Sequence, residues 1–340
     1  MKSLKDYSLN LSEQEYHEYP AWSYSMIAKY ARNGFSAIAT IHEKTKPTPE
    51  MEFGSLFDSI LTKGRKTLDD YAVVDFNVPD AEKKVLDALL AKFSVPFLEI
   101  SMNDFLGTAD SVSYQMKWKP DTRYQKVAAY SGYYDTLRSG KKVVSQKDWD
   151  DAVEMARIFR TDPYLKNLFG TKNTEEVEYI YQPQFVVMYE TKLHGKVKVK
   201  CMFDLLVVDH GALTIQPVDL KTSSMPAYDF PEHFVKMRYD IQGDEYSDVL
   251  RIVLDSIPEY QDYTILPYLF TDVSRTDMVP VTYTYDQTAG LSFTKGDRTY
   301  TYKRWDDLLD EIITYEETES KVPNYITTVG PNDLIDIISR

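Results

Sequence analysis

At 340 residues the chain is long enough for one large domain or two ordinary ones, and its 43% hydrophobic and 14% aromatic content excludes wholesale disorder. A single cysteine, Cys201, excludes a disulfide framework and any four-cysteine zinc or iron–sulfur site within one chain. The net charge of −14, from 39 basic and 53 acidic residues, argues against broad nonspecific affinity for nucleic acid. A local basic groove stays possible, since salt confines charge effects to roughly 10 Å. The opening Met1-Lys2-Ser3-Leu4-Lys5-Asp6-Tyr7 has no apolar signal region, and no run approaches membrane-spanning length, so a soluble cytoplasmic protein with no membrane partner is expected.

The first half reads mostly as helix. Apolar spacing predicts helices over residues 23–33 and 52–63, and a clearly amphipathic one over 81–93 with Val85, Leu86, Leu89 and Leu90 aligned. Residues 94–125 carry no decisive pattern. Residues 124–138 fit a helix despite their tyrosines and glycine, Ser145 fits the N-cap of a helix through Arg160, and a short helix over 162–168 stops at Gly170. From Glu175 the character changes, and residues 177–188, 195–207 and 212–222 read as three consecutive strands with turn residues between them. A helical stretch over 228–255 ends before Pro258, and strands over 263–271 and 278–285 follow. A helix over 302–316 presents Trp305, Leu308, Leu309, Ile312 and Ile313 on one face, and the tail beyond Pro323 is expected to pack on the surface. This order predicts one α/β domain over 1–340 with a mixed central β-sheet flanked by helices. Its parts are a mainly helical 1–174, a sheet and helix over 175–290, and a C-terminal helix and tail over 291–340.

The chemistry concentrates in the second half. Residues two apart on a strand share a face, so Asp219 and Lys221 point the same way, with Leu220 turned into the core. Asp204 ends the alternating run from Lys196, and Gly211 lies in the turn that follows, so a β-hairpin would deliver Asp204 beside Asp219. Converging carboxylates repel unless a cation sits between them, and oxygen-rich sites favour Mg²⁺ or Mn²⁺. A lysine beside such a metal can orient or activate water for attack on a phosphodiester, and the pattern suggests a metal-dependent nuclease. Basic residues cluster at 63–66, 117–126, 138–142 and 192–200, each most simply a solvated face. By parity Lys196, Lys198 and Lys200 fall on Asp204's side of their strand. Glu178 is a further candidate acidic ligand, whereas His194, His210 and His233 lack metal-ligand spacing and read as surface residues.

Four segments together resemble the PD-(D/E)XK nuclease superfamily, and within it the phage RecE-like and lambda-exonuclease-like exonucleases. Trp22-Ser23-Tyr24-Ser25-Met26-Ile27 is similar to the serine-rich opening of their N-terminal helix. Phe53-Gly54-Ser55-Leu56-Phe57-Asp58-Ser59-Ile60-Leu61 resembles their G-x-x-x-H-x-x-L helix, with Asp58 where the family usually has histidine. Asp204 with Asp219-Leu220-Lys221-Thr222 is the third segment, and Gln242-Gly243-Asp244-Glu245-Tyr246 matches the Q-x-x-x-Y helix after the catalytic lysine. The resemblance implies a restriction-endonuclease-like core and the following roles. Asp204, Asp219, the Leu220 carbonyl and Asp58 would ligate Mg²⁺, with Mn²⁺ as an alternative. Lys221 would sit near the attacking water, Gln242 would hold Lys221 or the water, and Tyr246 would contact DNA or support the site.

The resemblance further implies a 5′-to-3′ exonuclease acting on double-stranded DNA ends in phage-type recombination, repair or replication. A single-strand annealing protein as partner, a homo-oligomer, and the host cytoplasm for a phage-encoded chain come with it. Two alternatives stay open. One is a structure-specific or RecB-like nuclease; CRISPR-associated relatives with a cysteine-bound iron–sulfur cluster do not fit one cysteine. The other is a catalytically degenerate nuclease-fold protein that binds DNA or a protein partner, which the acidic balance and the missing histidine keep in play.

Overall fold

Local capping sets the first turns of the chain. The structure, a computed structural model, describes residues 2–43, 47–74, 77–170, 172–295 and 298–319; the tail beyond Pro323 lies outside them. Ser12 and Glu15 close a reciprocal capping box on α1 (Glu13–Glu18). Helix α2 (Tyr24–Asn33) buries Ile27, Ala28 and Tyr30 and stops at Gly34, whose φ of 62° a side chain would resist.

The chain then leaves for a second compact unit, Met51–Thr161, and returns to the first unit from Asp162 onward. The division falls at 50/51 and 161/162, whereas the sequence reading treats 1–340 as one domain and ends its helical part at 174. The inserted unit holds α3 (Pro49–Lys63, its first residues in the other unit), a short strand β1 (Tyr71–Val73), α4 (Asp80–Lys92), α5 (Met102–Ser111), α6 (Pro120–Ala128), α7 (Ser131–Arg138), β2 (Lys142–Val144) and α8 (Gln146–Thr161). β1 and β2 pair in parallel. Val85, Leu86 and Leu89 of α4 meet Phe97, Phe105, Val127 and Tyr134 in a core of their own. The expected helix over 124–138 is two helices, because Tyr130 takes a non-helical conformation between them. The patternless 94–125 contains α5, capped by Ser101. Ser145 caps α8 as expected, accepting from the Asp148 N–H.

Back in the first unit, the three expected strands are five. β3 (Val177–Tyr181), β4 (Gln184–Thr191), β5 (Gly195–Met202) and β6 (Leu205–Asp209) form one long bent hairpin, with β3 paired to β6 and β4 to β5. The bend has a local cause. Gln182 adopts a positive φ of 52° and Pro183 has no N–H to give, while Gln182 N and Phe203 N bond across the gap to Asp204 O and Pro183 O. β4 and β5 thereby leave the main sheet. β6 turns at 210–213, where Gly211 sits, into β7 (Thr214–Ser223).

The expected helix over 228–255 is also broken. α9 (Phe230–Met237) and α10 (Tyr239–Ser256) meet at Arg238, which is left-handed with φ 59°. That conformation is costly for a residue with a Cβ. A paired guanidinium anchors it: Arg238 is 7% exposed and binds Asp240 through two nitrogens and the Lys303 carbonyl through one of them. β8 (Thr264–Ile265) and β9 (Tyr268–Ser274) both run parallel to β7, and β10 (Pro280–Tyr285) returns antiparallel on β9. A small hairpin of β11 (Ser292–Lys295) and β12 (Arg298–Thr301) precedes α11 (Trp305–Thr318).

The protein is therefore mixed α/β. The main sheet runs β10-β9-β7-β6-β3, with helices α2, α10 and α11 sharing its core with β4 and β5. Among the described residues no helix is long and apolar enough to cross a membrane.

Candidate active site

β7 delivers the central groups. Asp219 and Lys221 share one face, and their register partners on β9, Phe270 and Asp272, share it with them. α10 lies against this face and turns Gln242 toward it. Lys221 Nζ stands 2.7 Å from Asp219 Oδ2 and donates to Gln242 Oε1 at 3.0 Å. Gln242 Nε2 donates to Asp219 Oδ1, so the amide orientation is dictated from both sides. This closed triangle is 2% exposed at Asp219 and 4% at Gln242.

Lys221 also lies 4.6 Å from the ring centroid of Tyr239, one turn before Gln242 on α10. Burial pulls the Lys221 ammonium toward losing its proton. Asp219, Tyr239, Tyr24 and Asp204 outweigh that pull, and the net shift is upward, so the lysine stays charged. His233 is half-buried beside Tyr239, and its ring is made harder to protonate by burial, by Lys236 and by Lys221. That is a site-edge location, not the open surface expected for it.

Asp204 stands at the bend before β6, half-buried. The register that pairs Leu205 with Val218 sets it opposite Asp219. Its Oδ2 accepts the Leu220 N–H at 2.7 Å, so it also fastens the end of β7. Leu220 is half-buried alongside Thr271, not fully in the core as the alternation implied. Tyr246 is buried, edge-on to Phe203 at 5.1 Å, a place suited to supporting the site from the core and not to touching DNA. Asp58 lies in the inserted unit on α3, half-buried, where its backbone carbonyl accepts from Thr62 Oγ1.

Other expectations shift. Lys200 does not face a groove with Asp204, because the bend separates them. It is 4% exposed and its ammonium binds the carbonyls of Tyr16, His17 and Tyr19, where burial lowers its proton affinity. Glu178 binds Ser3 Oγ and faces His210, away from the triangle's partners. His194 is mostly buried and bonds Thr314 Oγ1.

Asp272 is the group that the sequence reading missed. It is fully buried, its Oδ2 accepts from Ser223 Oγ at 3.0 Å, and its Oδ1 has no hydrogen-bond partner. Burial pushes its carboxyl up to about 6, against the opposing pull of Ser223 and Lys221. The signal was present as alternation: Tyr268, Phe270 and Asp272 fall on one strand face, but nothing in the sequence pairs that strand with β7. Among the described residues, no three His, Cys, Asp or Glu side chains gather closely enough to hold a metal ion. Asp204 and Asp219 still supply carboxylate oxygens at facing strand positions, and apart from the Lys221 ammonium at 2.7 Å the buried Asp219 Oδ2 receives no donor. That fits Mg²⁺, which retains several waters and takes one or two carboxylates plus substrate phosphates.

No protein-family model matches the chain, and no curated protein matches it.

Proposed function

We propose that this protein is a metal-dependent deoxyribonuclease with a restriction-endonuclease-like core, hydrolysing phosphodiesters at double-stranded DNA ends in the manner of PD-(D/E)XK exonucleases. The observation that carries the reading is the closed Asp219–Lys221–Gln242 triangle. Three residues singled out by sequence pattern, from a strand and a helix over twenty positions on, meet at one point with Asp204 opposite. The mixed sheet with flanking helices is compatible with such a core.

Asp204 and Asp219, with the Leu220 carbonyl, would hold Mg²⁺ or Mn²⁺. Bound there, a divalent cation supplies polarisation of the scissile phosphate and a more acidic water. Lys221, held charged, offsets the negative charge that gathers on phosphate oxygens. A charged ammonium has no lone pair, so it orients the water and does not take its proton. Gln242 fixes the rotamers of both Asp219 and Lys221, and the buried surroundings keep these charges unscreened.

End-labelled linear duplex with Mg²⁺ tests the reading. Cleavage by the wild type and its loss, by at least about a hundredfold, in Lys221→Ala is expected, the scale of one removed charge-stabilising donor. Retained Mg²⁺-dependent cleavage in that variant sinks the assignment. Closed circular DNA in parallel separates exonuclease from endonuclease.

A second reading has one observation in its favour. Lys221 occupies the Asp219 carboxylate and no third acidic group joins it among the described residues. A non-catalytic DNA- or protein-binding chain would look the same, and would show no Mn²⁺ binding that depends on Asp219.

A further inference from the structure

We propose that Asp272 is a positioning residue for Lys221: the second carboxylate that receives its ammonium when Asp219 is engaged elsewhere. The two residues are register partners on parallel strands and share a face, so their Cβ atoms lie about 5 Å apart. Asp272 is fully buried and one of its oxygens, Oδ1, receives no hydrogen bond. A buried, unsatisfied acceptor is costly, more so if charged, and asks for a function. Ser223 Oγ fixes the other oxygen, so the carboxylate is oriented and only Oδ1 is free to accept. Lys221 supplies what is missing. Its ammonium has three donors, of which two are directed at Asp219 and Gln242. Its side chain is 20% exposed, which leaves it room to pivot.

The need for a second acceptor rests on the nuclease reading in one respect only, namely what draws Asp219 away. Asp219 Oδ2, which would be a ligand oxygen for a divalent cation, is the oxygen that the ammonium now contacts at 2.7 Å. Two cations cannot share it closely. Without Asp272 the displaced ammonium would turn to solvent or repel the metal. With it, Lys221 stays beside the site, charge-balanced and aimed at the phosphate.

Two measurements test this. The first needs no metal: a crystal structure of Asp219→Asn, which removes the competing charge. Lys221 Nζ is expected within hydrogen-bond distance of Asp272 Oδ1. An ammonium that stays on the substituted amide and Gln242, or points to solvent, overturns the proposal. The second is Mn²⁺ titration calorimetry on full-length Asp272→Asn, an isosteric change that keeps the Ser223 contact, with circular dichroism as the folding control. Affinity should fall about tenfold, the scale of lost outer-shell support, and the effect should vanish in a Lys221→Met background. A loss that persists in that background means Asp272 acts without Lys221, and the proposal is wrong. Absence of Mn²⁺ binding in the wild type would defeat the nuclease reading, while the Asp219→Asn structure still decides the role of Asp272.

Discussion

At the level of single residues, the site and the core solve opposite electrostatic problems with the same helix. Gln242 on α10 neutralises nothing and positions everything, while Glu245, one turn later, is fully buried with no hydrogen bond of ordinary geometry on either oxygen. Burial drives its carboxyl well above the carboxylate range, Asp248 adds to this, and the facing backbone N–H of Tyr24 offsets only part. Folding therefore favours the protonated form of Glu245. A folded-state pKa above the unfolded value means the folded state binds the extra proton. Stability is then full below the ordinary glutamate range and falls as pH rises toward the folded-state value. Glu245→Gln removes that dependence. Its melting temperature should exceed the wild type's at pH 8, by roughly 2–4 °C for each kcal/mol recovered, with the gap closing toward pH 4. An equal loss at both pH values would show that the carboxyl makes a bond its geometry does not reveal. Asp219 and Lys221 were legible by strand parity, and Gln242 through the resemblance of Gln242–Tyr246 to a Q-x-x-x-Y helix. Asp272 was not, since parallel pairing across a helical crossover leaves no mark in either strand.

Elements were legible where one period ran uninterrupted and misread where a single residue broke it. The helix over 81–93 and the cap at Ser145 depended on local pattern and were found nearly in place. The run from 195 to 207 alternates well enough to read as one strand, yet Gln182 and Pro183 on its partner bend both at Phe203 and Asp204. The 228–255 helix hides a break whose cause, the Arg238–Asp240 pair with the Lys303 carbonyl, spans distant segments. Gly243 shows how tightly α10 is then laid down. A Cβ there would come 2.7 Å from the Tyr285 ring, itself bound through its hydroxyl to Asp244. Gly243→Ala therefore sets a helix-propensity gain of about 1 kcal/mol against overpacking of about 1–3 kcal/mol. Because Gln242 is the adjacent residue, the helix shift should also lower the proposed nuclease activity in the folded variant. A stabilised protein with full activity would mean that Tyr285 simply moves aside.

On the scale of the whole molecule, composition promised enough apolar residues for a large core, and among the described residues the sheet and part of the inserted unit each gather a core of their own. Helical periodicity tells which face of a helix is buried but not against which partner, so a single domain was the natural expectation from sequence. The inserted unit's core has its own centre: Phe105 is fully buried, 5.2 Å from the Tyr124 ring and 6.4 Å from that of Phe97. Truncating such a ring leaves a cavity among the residues it clusters with, all in its own unit. Phe105→Ala should cost about 3–5 kcal/mol, and the cost should be local. Hydrogen exchange should show amides of α4, α5 and α7 losing protection while those of β7, β9 and α10 keep theirs. The Lys221-dependent cleavage predicted above would then survive at temperatures below the inserted unit's melting. Equal loss of protection in both sets would make the molecule one cooperative block, and its separate cores a division of contacts without a division of stability.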